Sequence, residues 1–231
     1  METLVLAASW SGQLAAGLGV TLALAALSIV LGTAVGLGCA LLAARPGVFG
    51  PRLVLMAAGL VRSLPELLVI FAAYYGFAFL LQAIVAPFGV TGFVAIDAFW
   101  AGVMALTLIH AAFCTEVFRG AFAALPPGPI EAARALGLRR VPVFWLVAWP
   151  LALRYALPGW MNLTIVSLKL TPLVAAVGLQ DLLRTAGDAG RNTHDYLLFY
   201  LLALGIYLAL AAAIGLIQMR LEARLTRVWA G

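Results

Sequence analysis

Charge is what this chain has least of: 14 Lys and Arg and 9 Asp and Glu are spread over 231 residues, 10% in all, where water-facing domains carry about a quarter. That is too few polar side chains to cover a globule of this size, which argues against an ordinary soluble enzyme. Cysteine is nearly absent as well. Cys39 and Cys114 sit singly in apolar stretches, so neither a disulfide scaffold nor thiolate metal spacing is present, and both read as small packing residues. With only 2 His besides, the chain offers no convincing metal cluster or nucleophile and base, which disfavours an intramembrane enzyme. No basic tract backs the net charge of +5: the arginines punctuate apolar runs instead of clustering on a polar face, and no nucleic-acid partner is expected. A GxxxxGK[ST] phosphate loop is missing too, the single lysine, Lys169, being preceded by Leu168.

What fills the chain is apolar: 65% hydrophobic residues, with 23 Gly in addition. About 20 consecutive apolar residues cross a hydrocarbon core. Five runs qualify, at about Gly17 to Ala44, Leu53 to Val85, Ala98 to Phe118, Pro150 to Val177 and Tyr196 to Met219. None alternates with period two, which argues against a lipid-facing barrel. The expected fold is an all-α integral membrane protein with five transmembrane helices. Arginines mark one side: Arg45, Arg52 and Arg62, then Arg119, Arg134, Arg139, Arg140 and Arg154, then Arg220, Arg224 and Arg227. Only Arg184 and Arg191 fall in the loop between the fourth and fifth runs, and no basic residue lies between Pro87 and Phe99. The arginine-rich side reads as cytoplasmic, which places the N-terminus outside and the C-terminus inside. The start, with Glu2 and no basic residue before the first run, does not read as a signal peptide.

Residues 121–149 form the one long polar stretch with explicit local signals. Pro126 and Pro127 end the preceding helix, Gly128 suits an N-cap and Pro129 the first helical position, where a missing N–H costs nothing. Glu131 then falls in the first turn. Ala132, Ala133 and Ala135 favour helix, and Gly137 suits a left-handed stop. A second helix reopens at Pro142 and leads to Pro150. The expectation is a short helix of two turns, crosswise on the cytoplasmic face, with small side chains that admit a partner's backbone.

Glu131-Ala132-Ala133, three residues, Gly137, then twelve residues and Pro150 resembles the EAA loop of ATP-binding-cassette importer permeases. The segments GVTLALAALSIVLGTAVGLGCAL, VRSLPELLVIFAAYYGF, TEVFRGAF, WPLALRYALPGWMN and KLTPLVAAVGLQDLL are similar to permeases of the polar, histidine and basic amino-acid type. The resemblance covers nearly the whole chain. It implies one permease domain, 1–231, of the type I importer transmembrane fold in a bacterial inner (plasma) membrane, with residues 121–149 as its cytoplasmic coupling loop. It also implies partners: two ATPase subunits carrying ATP and Mg, a second permease subunit, like or identical, and an extracytoplasmic substrate-binding protein. No cofactor and no catalytic residue is expected on this chain. Glu131, Ala132, Ala133 and Gly137 are then the ATPase-coupling residues. The residue-level alternative is a capped surface helix that merely joins two spans.

Ionisable groups inside a bilayer are costly and point to function. Arg62 and Glu66 are spaced i, i+4 and are expected on one helix face, with Ser63 and Pro65 between them; at about 1.5 Å per residue, Glu66 lies about 20 Å beyond Arg52. Either Glu66 meets the cationic end of a basic substrate while Arg62 or a helix end meets its carboxylate, or the two neutralise each other structurally. His110 is either a substrate or proton contact or a hydrogen-bonded packing residue. Glu116 and Arg119 read as an interfacial pair. Lys169 and Thr171 flank the point where Pro172 interrupts the fourth span, and Lys169 faces either a substrate carboxylate or an acid such as Glu66. Residues 178–195 read as a short amphipathic helix at the outer surface, facing either a binding protein or headgroups. Gly32 and Gly36 form a GxxxG pair that permits close helix contact.

The leading expectation is therefore a permease subunit of an ATP-driven importer for polar, basic amino acids or opine-like derivatives. The alternative is a stand-alone secondary transporter or channel, which the lack of an internal repeat disfavours.

Overall fold

The computed structural model describes residues 8–45, 47, 49–88 and 96–229, with side chains as far as residue 223. Glu2 and the side chains of Arg224 and Arg227 lie outside the described residues. The described chain is helical nearly throughout, and five of its helices are long and apolar enough to cross a membrane.

Helix α1, Ser11–Ala43, is built from Ala, Leu and Gly with no proline to interrupt it. Its buried residues Gly17, Thr21, Ser28, Gly32, Gly36 and Ala40 recur at helical spacing and form a stripe of small side chains. Gly32 and Gly36 of that stripe lie against α4, Ala98–Ala123, in the most extensive helix contact of the fold, while Gly17 and Thr21 meet residues 181–185. A Cβ on Gly32 would come within 2.8 Å of the His110 Cβ, and one on Gly36 within 2.7 Å of the Cys114 Cβ and 2.8 Å of the Ala111 carbonyl oxygen. The expected close approach is thus present, and its partner is the central helix. Asp97 caps α4 by accepting from the backbone N–H groups of Phe99 and Trp100.

The expected single run from Leu53 to Val85 is two helices, α2 at Phe49–Ser63 and α3 at Glu66–Val85, and only α3 is long enough to span. Pro65 is the cause. It has no N–H to continue the ladder, and its ring drives Leu64 away from helical dihedrals. Pro65 itself is extended, with φ −58° and ψ 133°.

Beyond α4 comes the short helix α5, Pro127–Ala135. The four-residue α6, Arg140–Val143, leads through a widened π turn, Phe144–Ala148, into α7, Trp149–Leu170. The widened turn directly precedes Pro150, which cannot donate to the carbonyl four residues before it and would crowd it in a regular helix. At Thr171 the chain tightens into a 3₁₀ segment, Thr171–Val177, so the interruption expected at Pro172 is present. Gly178 closes it at φ 101°, a left-handed conformation suited to glycine.

The short helix expected within residues 178–195 is α8, Leu182–Thr193, and α9, Tyr196–Trp229, follows it. Leu182, Ala186 and Ala189 of α8 pack with Leu14, Phe199 and Ala203, which ties α8 to α1 and α9. The main core, with Leu24, Ile70, Leu106, Ile109 and Val174, surrounds α4. Val30, Met56, Phe79, Leu204 and Leu208 remain exposed on the outer faces. Such apolar surface suits lipid or another membrane subunit.

Candidate functional site

Three groupings of polar residues stand out in this apolar frame. The first surrounds the break in the second expected span. Ser63 closes α2 by donating its hydroxyl to the Leu60 carbonyl at 2.8 Å, and Glu66 opens α3, where the helix dipole favours a carboxylate. Arg62 and Glu66 do not pair. Arg62 donates from Nε to the Ala58 carbonyl at 3.3 Å and from Nη2 to Oε1 of Glu116 on α4 at 3.1 Å. The i, i+4 expectation fails because helical periodicity is not continuous across Leu64 and Pro65, so the two side chains share no helix face. Glu116 also accepts from Nε of Arg119 at 2.8 Å, the expected i, i+3 pair, and so lies between two guanidinium groups. Glu66 is half-buried, Lys169 is exposed on the last turn of α7, and neither has an ion-pair partner among the described residues.

The second grouping is internal. His110 is buried, with Nε2 3.1 Å from the Thr33 hydroxyl and Nδ1 2.7 Å from the Ser167 hydroxyl. Trp160 donates its indole N–H to the same Thr33 oxygen at 2.8 Å. This chain of contacts ties α1, α4 and α7 together, and both ring nitrogens of His110 have partners within the subunit, the arrangement of a packing histidine. Thr171 is likewise buried, donating to the Leu168 carbonyl at 2.8 Å and lying 3.3 Å from the Tyr207 hydroxyl. Cys114 is fully buried, as a packing residue would be.

The third is the short helix α5. It starts two residues earlier than expected: Pro126 occupies the N-cap position and Pro127 the first helical one. Pro127 meets the requirement for N1 as well as Pro129 does, and its ring holds Pro126 extended at ψ 138°. Glu131 consequently lies in the second turn and not the first. The end matches expectation. Gly137 adopts φ 82°, its N–H bonds to the Arg134 carbonyl at 2.9 Å, and the Leu138 N–H bonds to the Ala133 carbonyl at 3.2 Å, the paired bonds of a Schellman stop. Ala133 faces inward, whereas Glu131, Ala132, Arg134 and Ala135 are exposed. An open surface of small and charged side chains results, held at both ends by fixed backbone.

The buried Asp181 is a polar residue that the sequence did not single out. It caps α8 by accepting from the Arg184 N–H at 2.8 Å, while its second carboxylate oxygen has no hydrogen-bond partner. Burial pushes its carboxyl above the ordinary aspartate range, against the opposing pull of helix N–H groups and Arg184. Thr21 completes the joint by accepting from the Leu182 N–H at 3.1 Å. An aspartate directly before a Leu-Leu pair is a legible cap signal; its burial is not legible.

The sequence matches the family described as "Binding-protein-dependent transport system inner membrane component" over residues 32–227. It is 35% identical to the octopine transport system permease protein of Rhizobium meliloti over 94% of this chain and 92% of that protein. It is 37% identical to the histidine/lysine/arginine/ornithine transport system permease protein of Escherichia coli, over 93% and 94% respectively. Among solved structures, an amino acid ABC transporter crystallised with histidines superposes with a TM-score of 0.79 at 28% identity, covering 94% of this chain and 96% of that one.

Proposed function

The chain belongs to the family of binding-protein-dependent transport system inner membrane components, and from that membership we propose that it imports basic amino acids, or opine derivatives of them, using ATP hydrolysed on separate subunits. The observation that carries this reading is the exposed, end-fixed crosswise helix on a chain whose sequence lacks a phosphate loop. Energy then arrives through Glu131, Ala132, Ala133 and Gly137, Ala133 seating the helix and the exposed neighbours meeting the ATPase. ATP and Mg belong to those ATPases, and this chain takes no cofactor and catalyses no reaction of its own. A second permease subunit and an extracytoplasmic binding protein complete the assembly. The N-terminus lies outside and the C-terminus in the cytoplasm of a bacterial inner membrane, and residues 1–231 act as one permease domain.

The substrate class rests on chemistry. The relatives' names print octopine, histidine, lysine, arginine and ornithine, compounds that combine a carboxylate with a basic side chain. Glu66 at the Ser63 to Pro65 break suits the cation, and Lys169 suits the carboxylate; both lack an ion-pair partner among the described residues. Arg62, His110 and Thr171, engaged within the subunit, position these groups.

The test is uptake into proteoliposomes holding the assembled complex, with arginine, lysine, histidine and octopine offered through the binding protein. Glu66→Gln is expected to abolish uptake of the cationic substrates while the complex still assembles and hydrolyses ATP. Unchanged uptake removes Glu66 from the pathway. Uptake by the purified chain without ATPases favours the stand-alone carrier instead.

A further inference from the structure

The return from the crosswise helix to the membrane carries a second polar feature. Arg134 on the last turn of α5, Arg139 just before α6 and Arg140 at its start line one open cavity of about 570 Å³ together with Leu138. No acidic residue lines it among the described residues. None of the three arginines takes part in an ion pair among the described residues. Three like charges around one cavity repel each other, and a bound anion relieves that repulsion. Guanidinium forks match the oxygens of a phosphate, which they bind bidentately.

The surroundings select the kind of phosphate. Immediately after the arginines, Val141, Trp145 and Leu146 are 66%, 59% and 66% exposed. Their spacing of four and five residues places them along one side of the segment that rises into α7. Tryptophan beside arginine at the end of a membrane span is the composition of the headgroup boundary, where basic residues gather anionic lipid. A soluble anion leaves that apolar side uncovered, whereas a lipid covers both parts.

We propose that Arg134, Arg139 and Arg140 hold the phosphate of an anionic phospholipid, whose acyl chains lie along Val141, Trp145 and Leu146. The bound lipid braces the bend at Gly137, where the crosswise helix turns back toward the bilayer. This requires only that the helices cross a membrane and is independent of the solute transported.

The test uses the assembled complex in phosphatidylcholine nanodiscs containing a minor fraction of either dibrominated phosphatidylglycerol or dibrominated phosphatidylcholine. The emission of Trp145 is isolated by subtracting that of Trp145→Phe. Brominated phosphatidylglycerol is expected to quench Trp145 with about a tenfold preference over brominated phosphatidylcholine. Arg139→Gln with Arg140→Gln removes most of that preference, and lysine at both positions retains part of it. Equal quenching by the two lipids in the unmodified protein overturns the proposal without reference to any variant. Relief of quenching by inorganic phosphate assigns the cavity to the free anion and overturns the lipid assignment. Loss of the ATPase subunits from the double glutamine variant, with lipid preference intact, assigns it to protein contact and overturns it equally.

Discussion

Arg62 and Glu116 bridge α2 and α4, with Nη2 of Arg62 3.1 Å from Oε1 of Glu116, immediately before the proline break that leads to Glu66. Glu116 lies between Arg62 and Arg119, so Glu116→Gln leaves two cations facing a neutral amide. The expected loss is about 1 kcal/mol for a partly exposed pair, or about 2–4 °C in thermal midpoint. A double-mutant cycle with Arg62→Met in the solubilised complex measures the coupling directly. Strictly additive losses would contradict the bridge.

The contact between α1 and α4 depends on two absent side chains. Gly36→Ala would place a methyl 2.7 Å from the Cys114 Cβ and 2.8 Å from a backbone oxygen. Neither neighbour is the free end of a flexible chain, so the helices must separate, at a cost of about 1–3 kcal/mol. Gly38→Ala meets nothing within 4 Å and serves as the control. Detergent-solubilised yield and thermal midpoint are expected to fall for the first substitution and hold for the second; equal behaviour would show that α1 does not pack through this stripe.

Asp181 supplies the pH dependence. Its carboxyl is raised by burial, so the folded protein binds a proton that the unfolded chain has released. The favourable contribution is complete below the unfolded value and disappears as pH rises through the raised folded one. Above that raised value the ionised, buried carboxylate is a net cost to the fold. Asp181→Asn keeps a good N-cap and is expected to raise the thermal midpoint at neutral pH and flatten its slope in the acid range. Asp181→Ala removes the cap and is expected to lose about 1 kcal/mol. A lower midpoint for the asparagine variant at neutral pH would mean that the carboxylate is stabilised by its surroundings.

The expected spans lie within two residues of the structure at several ends, Ala44 against Ala43 and Val85 against Val85, because apolar length is dictated locally by the bilayer. The short helix α5 was legible in the same way, since proline and glycine act on their immediate neighbours; its start shifted by two residues because Pro127 and Pro129 each satisfy the same local rule. Long-range pairing was not legible. Arg62 and Glu116 are separated by 54 residues, and the proline break that turns Arg62 away from Glu66 resets the very periodicity from which their contact was inferred. Gly32 and Gly36 announced a close approach but carried no information about which helix makes it. The burial of Asp181 depends on α1, where Gly17 lets the backbone pass close: a Cβ there would lie 2.9 Å from the Asp181 carbonyl oxygen.

Transmission of energy through the crosswise helix is the central claim, and Glu131→Arg tests it because Glu131 is exposed and contributes nothing to the core. ATP hydrolysis and arginine uptake should be measured together on the same proteoliposomes, with the chain assembled with its ATPases. The prediction is that hydrolysis persists while uptake per ATP falls by an order of magnitude or more. Full uptake per ATP in that variant would contradict the account.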